Sequence, residues 1–155
     1  MCGTEFAIIA AYPQSFKEKK VTLRGENLKR QIMIKAMLIA GLGGFMGTCL
    51  RYLTGRLCHL WELGGFPLGT FIVNIVGSFI IGALLGLAER NNFITPTMNV
   101  LLVTGFCGGF TTFSSFADDI FLLMQQRNWT IFAIYTSLSI ILGVFFVWIG
   151  RSAVK

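Results

Sequence analysis

The chain has 155 residues, of which 54% are hydrophobic and only 13% carry a charge. A soluble domain has about a quarter of its residues charged, so this composition excludes an ordinary soluble protein and indicates an integral membrane protein. The four cysteines show no C-x-x-C or cysteine–histidine spacing, which excludes a disulfide scaffold and a zinc site. The net charge of +6 does not indicate nucleic acid as a partner, because no basic patch alternates with aromatic residues.

The first 32 residues differ in character from the rest. They are polar and basic from Gln14 to Arg30, and the short apolar run Phe6 to Ala11 precedes the basic cluster, which is the reverse of a secretory signal. We therefore expect two regions. Residues 1–32 form a polar basic extension that is disordered or absent from the natural protein, whose start is then Met33 or Met37. Residues 33–155 form a four-helix transmembrane domain.

Four apolar runs follow the basic extension, and each is long enough to cross a bilayer as a helix of about 20 residues. They cover residues 36–57, 68–87, 97–124 and 129–149. The predicted fold class is an all-α membrane protein with four transmembrane helices and both termini on one side. Small residues recur at helix-packing spacing, as in Gly43-x-x-x-Gly47 and Gly105-x-x-x-Gly109.

From Met33 onward, the basic residues are nearly balanced between the two sides of the membrane. The side of the termini carries Lys35, Arg90, Arg151 and Lys155, and the other side carries Arg56 and Arg127, with Arg51 close by. So weak a bias predicts a chain that inserts in both orientations. The basic residues of the extension would break that balance.

A stretch rich in glycine, threonine and serine interrupts the third run between Gly105 and Phe116. Such a sequence makes a poor continuous helix, so we expect the third helix to be broken in mid-membrane. A break frees backbone groups that must face protein, an ion or water. Freed carbonyls suit a cation, whereas hydroxyls and aromatic ring edges suit an anion. A kinked helix that serves packing alone is the other interpretation.

Two polar stripes run along the second and fourth spans. Each consists of residues four apart, which share one helix face: Thr70, Asn74 and Ser78, and then Tyr135, Ser139 and Gly143. These side chains either hydrogen-bond between helices or line a solute pathway, and the presence of two stripes favours the pathway.

The only acidic residues within the spans are Asp118 and Asp119, late in the third. A proton-coupled exporter would need a carboxylate at depth in the first span.

At these residues the chain resembles the fluoride channel family, also called CrcB or Fluc. The resemblance covers about residues 33–151 and depends on three motifs in order. They are Gly43-Gly44-x-x-Gly47 with Arg51-Tyr52, Gly69-Thr70-Phe71-x-Val73-Asn74-x-x-Gly77-Ser78-Phe79, and Gly105 to Phe116.

The resemblance implies a fluoride-selective channel of the bacterial inner membrane that passes fluoride passively and lowers its cytoplasmic concentration. It also implies an inverted, dual-topology homodimer and a structural Na⁺ held by the backbone carbonyls of Gly108 and Thr111. The implied ion pathway consists of Thr70, Asn74, Phe113, Ser114, Ser115, Phe116, Tyr135 and Ser139, with Arg51 near the vestibule. Gly143 stands where the family often has serine, so one hydroxyl is missing from the outer end of the path.

Two alternatives remain at this point. A small four-helix multidrug or cation exporter would need an acidic residue in the first span. A non-conducting membrane assembly subunit would explain the glycines, but not the two polar stripes and the interrupted third run. An enzyme is not expected, because the sequence offers no nucleophile–base pair and no metal cluster.

Overall fold

The structure, a computed structural model, describes residues 14–60, 64–91 and 94–154, which form helices joined by short turns. The helices are α1 (Gln14–Cys58), α2 (Leu68–Asn91), α4 (Phe113–Gln125) and α5 (Trp129–Ala153). Helix α3 consists of three consecutive stretches, Pro96–Asn99, the wider π-helical Val100–Cys107, and Gly108–Phe110.

Four stretches have the length and apolar composition of a membrane span: Glu26–Cys58, Leu68–Glu89, Pro96–Gln125 and Trp129–Ala153. The prediction of an all-α protein with four helices able to cross a membrane is confirmed. The bounds of the second and fourth predicted runs agree with α2 and α5 to within four residues at each end. The third predicted run corresponds to α3 and α4 together.

Helix α1 begins at Gln14, inside the extension that was expected to be disordered or absent from the natural protein. Lysine, glutamate, leucine and arginine dominate this stretch and are good helix formers. Extending a helix that already exists avoids the cost of nucleation. The apolar part of α1 therefore favours helix in the polar residues that precede it. The chain divides into two compact units, Met1–Met37 and Leu38–Lys155.

Local sequence sets several of the helix ends. The Thr95 hydroxyl accepts a hydrogen bond from the Met98 amide at 3.2 Å, and Pro96 occupies the first position of α3. Asn128 caps α5 in the same way, with its Oδ1 3.4 Å from the Ile131 amide. The turn before Asn128 contains Arg127, whose φ of 54° reverses the chain between α4 and α5.

Glycines bring the Leu38–Cys58 part of α1 into backbone contact with α3. A Cβ added to Gly105 would lie 2.7 Å from the Ala40 carbonyl oxygen and 3.0 Å from the Gly43 Cα. One turn later, a Cβ on Gly109 would lie 2.9 Å from the Gly44 Cα. The packing role of these small-xxx-small pairs is therefore confirmed.

We expect Gly47→Ala to lower the thermal unfolding midpoint of the detergent-solubilised protein. The added Cβ would lie 2.8 Å from the Phe110 backbone nitrogen, where neither helix can yield cheaply. Overpacking of this kind costs about 1–3 kcal/mol. Gly41→Ala is the matched control, because nothing lies within 4 Å of its added Cβ. Equal midpoints for both variants and the wild type would contradict the close crossing of α1 and α3.

Candidate functional site

Two extended residues separate α3 from α4. Helix α3 ends at Phe110, Thr111 has φ −79° and ψ 156°, and Thr112 has φ −149° and ψ 118°. The amide and the hydroxyl of Thr111 both donate to the Cys107 carbonyl, each at 2.9 Å. The Thr112 hydroxyl accepts a hydrogen bond from the Ser115 amide at 3.2 Å and so caps α4. Two consecutive threonines thus end one helix and begin the next.

Asn74 of α2 binds the extended backbone from the side. Its Nδ2 donates to the Thr112 carbonyl at 3.0 Å, and the Thr112 amide donates to its Oδ1 at 2.8 Å. This reciprocal pair has the pattern of a rung in a β-ladder. It satisfies both polar backbone groups of a residue that has no helical partners, which is obligatory in an apolar environment.

Arg51 of α1 reaches the end of α3. Its Nε donates to the Gly109 carbonyl at 3.1 Å, and the Thr48 hydroxyl lies 3.5 Å from the same oxygen. The carbonyl end of a helix carries partial negative charge, so an arginine is favourable there. The structure thus gives Arg51 a backbone partner, which the sequence did not predict.

The carbonyls of Gly108 and Thr111 differ from that of Gly109. Outside the helices, neither accepts any of the hydrogen bonds found in the described part of the chain. Gly108 is exposed, and a Cβ built on it would meet nothing within 4 Å. These two carbonyls therefore remain available to an external ligand.

Five aromatic rings form a row beside the extended residues. The centroids of Phe113 and Phe116 are 6.0 Å apart, and those of Phe116 and Tyr135 are 5.4 Å apart. Phe66 lies edge-on to both Tyr135 and Phe71, at 5.4 Å from each. Phe113 is 80% exposed whereas Tyr135 is fully buried, so the row leads from the protein surface into its interior. Sequence reasoning found the first two rings and Tyr135, but missed Phe66 and Phe71.

Asp119 is a further residue that sequence reasoning did not assign. The Tyr135 hydroxyl donates to its Oδ2 at 2.9 Å, and Thr70 also interacts with its carboxyl group. Asp119 therefore joins one residue from each predicted polar stripe. An acidic residue within an apolar span is a sequence signal for function, although the partner cannot be identified from sequence.

Two cavities meet at Thr112. The first, of about 310 Å³, is lined by predicted residues Arg51, Thr70 and Ser115, and also by Arg56 and His59. The second, of about 340 Å³, is lined by predicted residues Asn74, Phe113 and Phe116, together with Ser78 and Thr111. The structure therefore gathers six of the predicted pathway residues around one extended threonine.

A third cavity of about 510 Å³ adjoins the first, and Thr70, Gly55, Gly69 and His59 line both. Its further lining residues include Asp119, Cys58 and Phe66.

The remaining predicted residues lie around this arrangement. The Ser114 hydroxyl is exposed and 3.2 Å from that of Thr112. The Ser139 hydroxyl is buried and has no hydrogen-bond partner in the described part of the chain. A Cβ on Gly143 would lie 3.7 Å from the Ser78 hydroxyl, so the two predicted polar stripes approach each other there.

Comparison with known sequences identifies the family. The profile of the family described as CrcB-like protein, camphor resistance, matches residues 38–151. The chain belongs to the CrcB-like family. The match begins at Leu38, where the second compact unit begins, and includes the whole arrangement around Thr112.

Individual CrcB-like proteins match this chain over most of their own length. The chain is 44% identical over 124 residues to a protein of Methylobacillus flagellatus, which covers 79% of this chain and 96% of the relative. It is 40% identical over 118 residues to one of Azobacteroides pseudotrichonymphae, covering 76% and 94%. It is 38% identical over 122 residues to one of Flavobacterium psychrophilum, covering 79% and 98%. All three are named fluoride-specific ion channel FluC.

The family confirms two further predictions. CrcB-like relatives are ion channels rather than enzymes, as expected of this chain. With four helices able to span a membrane, the chain is a multi-pass membrane protein.

We expect Asn74→Leu to destabilise the fold, because leucine would leave both the amide and the carbonyl of Thr112 without a partner. Each unsatisfied buried group costs on the order of 1–3 kcal/mol, so the thermal unfolding midpoint should fall clearly. Ser78→Ala, one turn further along the same face of α2, is the control and should have little effect. A midpoint unchanged by Asn74→Leu would show that the pair with Thr112 does not stabilise the protein.

Proposed function

We propose that this chain is a fluoride channel that passes the ion passively across a bacterial inner membrane and so lowers its cytoplasmic concentration. The observation that carries the proposal is the arrangement around Thr112, where an amide, hydroxyls and aromatic rings line two cavities that share this residue in a CrcB-like chain. Fluoride is small and strongly hydrated, so a pathway must replace its water with several donors. Asn74 and the hydroxyls of Ser114 and Ser115 are such donors, whereas Thr70 lines the path with a hydroxyl that interacts with Asp119.

The cavity beside the phenylalanines has a composition that suits conduction. None of its lining residues carries a charge. A fixed ammonium or guanidinium group there would bind the anion too tightly to release it, whereas conduction requires binding that is weak enough to leave. The edges of Phe113 and Phe116 offer weaker positive potential. Arg51 lies in the neighbouring cavity, where its charge can attract an anion without trapping it in the narrow part.

Tyr135 and Ser139 complete the proposed path on α5. The hydroxyl of Tyr135 is committed to Asp119, so Tyr135 presents its ring to the path rather than a donor. Among the described residues, the Ser139 hydroxyl has no hydrogen-bond partner, so it can donate to an ion. Gly143 supplies no hydroxyl, and we place the outer end of the donor series at Ser139.

We further propose a structural Na⁺ at the carbonyls of Gly108 and Thr111. The residues fit this ion, because hard cations take oxygen ligands and both carbonyls are available. The negative end of α3 also favours a cation. Bound there, the ion would neutralise this helix end. Among the described residues, no group of three or more histidine, cysteine, aspartate or glutamate side chains offers an alternative metal site.

A second copy of the chain would supply what one copy lacks. Two carbonyls are too few ligands for a hard cation, and Gly108 is exposed, so a partner can approach it. The nearly balanced charges after Met33 favour an inverted, dual-topology homodimer.

Helix α3 has 15 residues before the extended pair, as stretches of 4, 8 and 3, and α4 has 13 after it. These lengths support a break of the third span near mid-membrane.

The two alternative functions gain no support. An exporter would need a carboxylate deep in the first span, and the sequence from Leu38 to Cys58 contains none. A non-conducting subunit would have no use for an uncharged cavity lined by donors.

Fluoride efflux from liposomes tests the proposed function. We expect purified protein to release trapped fluoride, measured with a fluoride electrode, and to release chloride far more slowly. Asn74→Asp should suppress the flux strongly, because it places negative charge in the pathway and loses the donor to the Thr112 carbonyl, although it still accepts the Thr112 amide. Asn128→Asp makes the same chemical change at a helix cap, where aspartate is equally suitable, and should conduct normally. Equal leakage of both anions, or no fluoride release, would reject the proposal.

Orientation in the membrane tests the proposed dual topology. We expect residues 33–155 to insert in both orientations. The full chain should insert mainly with its termini in the cytoplasm, because residues 1–32 add six basic groups to that side. Labelling of a C-terminal cysteine by a membrane-impermeant reagent, before and after the membrane is opened, measures the two populations. A single orientation of residues 33–155 would contradict the inverted homodimer.

A further inference from the structure

We propose that the fixed charge of Arg51 weakens cation binding at the carbonyl end of α3, because the guanidinium group and the cation interact with the same negative helix end. The inference rests on the proposed Na⁺ site. It assigns Arg51 a second role beside that of a cationic group near the anion path.

The hydrogen bonds at the end of α3 divide its carbonyls into two sets. The Cys107 carbonyl accepts twice from Thr111, the Gly109 carbonyl accepts from Arg51 and Thr48, and the Thr112 carbonyl accepts from Asn74. The carbonyls of Gly108, Phe110 and Thr111 accept none of these bonds, and two of these three are the proposed ligands. Arg51 thus binds the Gly109 carbonyl, and Gly109 directly follows Gly108, one of the two proposed ligands.

The anchoring of Arg51 makes its charge a fixed part of the site. Nε is bound at 3.1 Å to a backbone oxygen, and the side chain is half-buried. Its parent helix is held against α3 by backbone contact at Gly44 and Gly109. The guanidinium group therefore cannot withdraw from the helix end without breaking a charge-assisted hydrogen bond.

Two positive charges at one helix end repel each other. A helix terminus carries about half an elementary charge, which a single arginine already exceeds. In a partly buried site, a unit charge within about 8 Å alters the affinity for a cation by roughly tenfold. Arg51 should therefore stabilise the helix end when the cation is absent and weaken binding of the cation when it is present.

This direction separates the proposal from two simpler roles. If Arg51 only anchored α1 to α3, its loss would loosen the carbonyl cage and weaken sodium binding. If it only attracted anions, its loss would leave sodium binding unchanged. The proposal predicts tighter binding.

The experiment measures the thermal unfolding midpoint of the purified full chain during titration with sodium chloride, with N-methylglucamine chloride holding ionic strength constant. We expect sodium to raise the Tm of the wild type. Arg51→Gln should have a lower Tm without sodium, a larger rise with sodium, and a half-saturating sodium concentration roughly tenfold lower. Arg51→Lys retains the charge and should keep the wild-type half-saturation.

Two controls isolate the charge. Thr48→Val removes the other donor to the Gly109 carbonyl without changing charge, and should leave the half-saturation unchanged. Arg56→Gln removes a positive charge from the same cavity without touching α3, and should also leave it unchanged. A half-saturation in Arg51→Gln that is equal to or weaker than that of the wild type would overturn the proposal. So would an equal tightening in Arg51→Lys, or an Arg51→Gln protein that fails to fold even in saturating sodium.

The outcomes also distinguish this inference from the proposed function. A wild type that conducts fluoride but shows no stabilisation by sodium would overturn the cation site and the role of Arg51 with it. A wild type that responds to sodium as expected but passes no fluoride would overturn the channel function alone.

Discussion

A polypeptide that leaves the helical conformation inside a membrane must find a partner for every amide and carbonyl that it frees, because lipid offers none. Thr111 and Thr112 leave the helical conformation between α3 and α4, and neighbouring residues bind all of their backbone groups except the Thr111 carbonyl, which accepts none of the hydrogen bonds found in the described part of the chain. Asn74 satisfies the backbone of Thr112, and Thr111 bonds back to Cys107 through its own side chain. Helix α2 must therefore lie where its polar face can reach α3 and α4. Asn74 in the polar stripe on α2 therefore has a structural role that does not depend on any ion.

The close packing of α1 against α3 depends on the same constraint. Gly44, Thr48 and Arg51 lie on one face of α1, at spacings of four and three residues. Gly44 permits contact with Gly109, and the side chains of Thr48 and Arg51 then reach the Gly109 carbonyl. A larger residue at either glycine would move the guanidinium group away from the helix end. Motifs that are common in membrane helices, and that carry little functional information by themselves, here determine which carbonyl receives a charge.

The sequence predicted the spans well because the length and apolar character of a span depend on the bilayer alone. It predicted the break less well. The sequence predicted an interruption somewhere between Gly105 and Phe116, whereas the described backbone is helical through Phe110 and only the two threonines are extended. Glycines four residues apart can mark a break or a close helix crossing, and only tertiary contacts decide between them. For the same reason, the partners Asp119 and Phe66 could not be inferred, because they pair across elements that are distant in the sequence.

On the proposed function, the opposite polarities of the end of α3 and the start of α4 would allow one site to bind ions of opposite sign. Helix α3 reaches the break with its carbonyl end, which is partly negative, and α4 leaves it with its amide end, which is partly positive. A cation on the side of Gly108 and an anion beside Ser114 and Ser115 are therefore each favoured by the nearer helix end. A continuous helix would bury these partial charges in its own hydrogen bonds. On the proposed function, the break itself supplies the electrostatics of both sites, and a fixed charge is needed only outside the narrow part of the path.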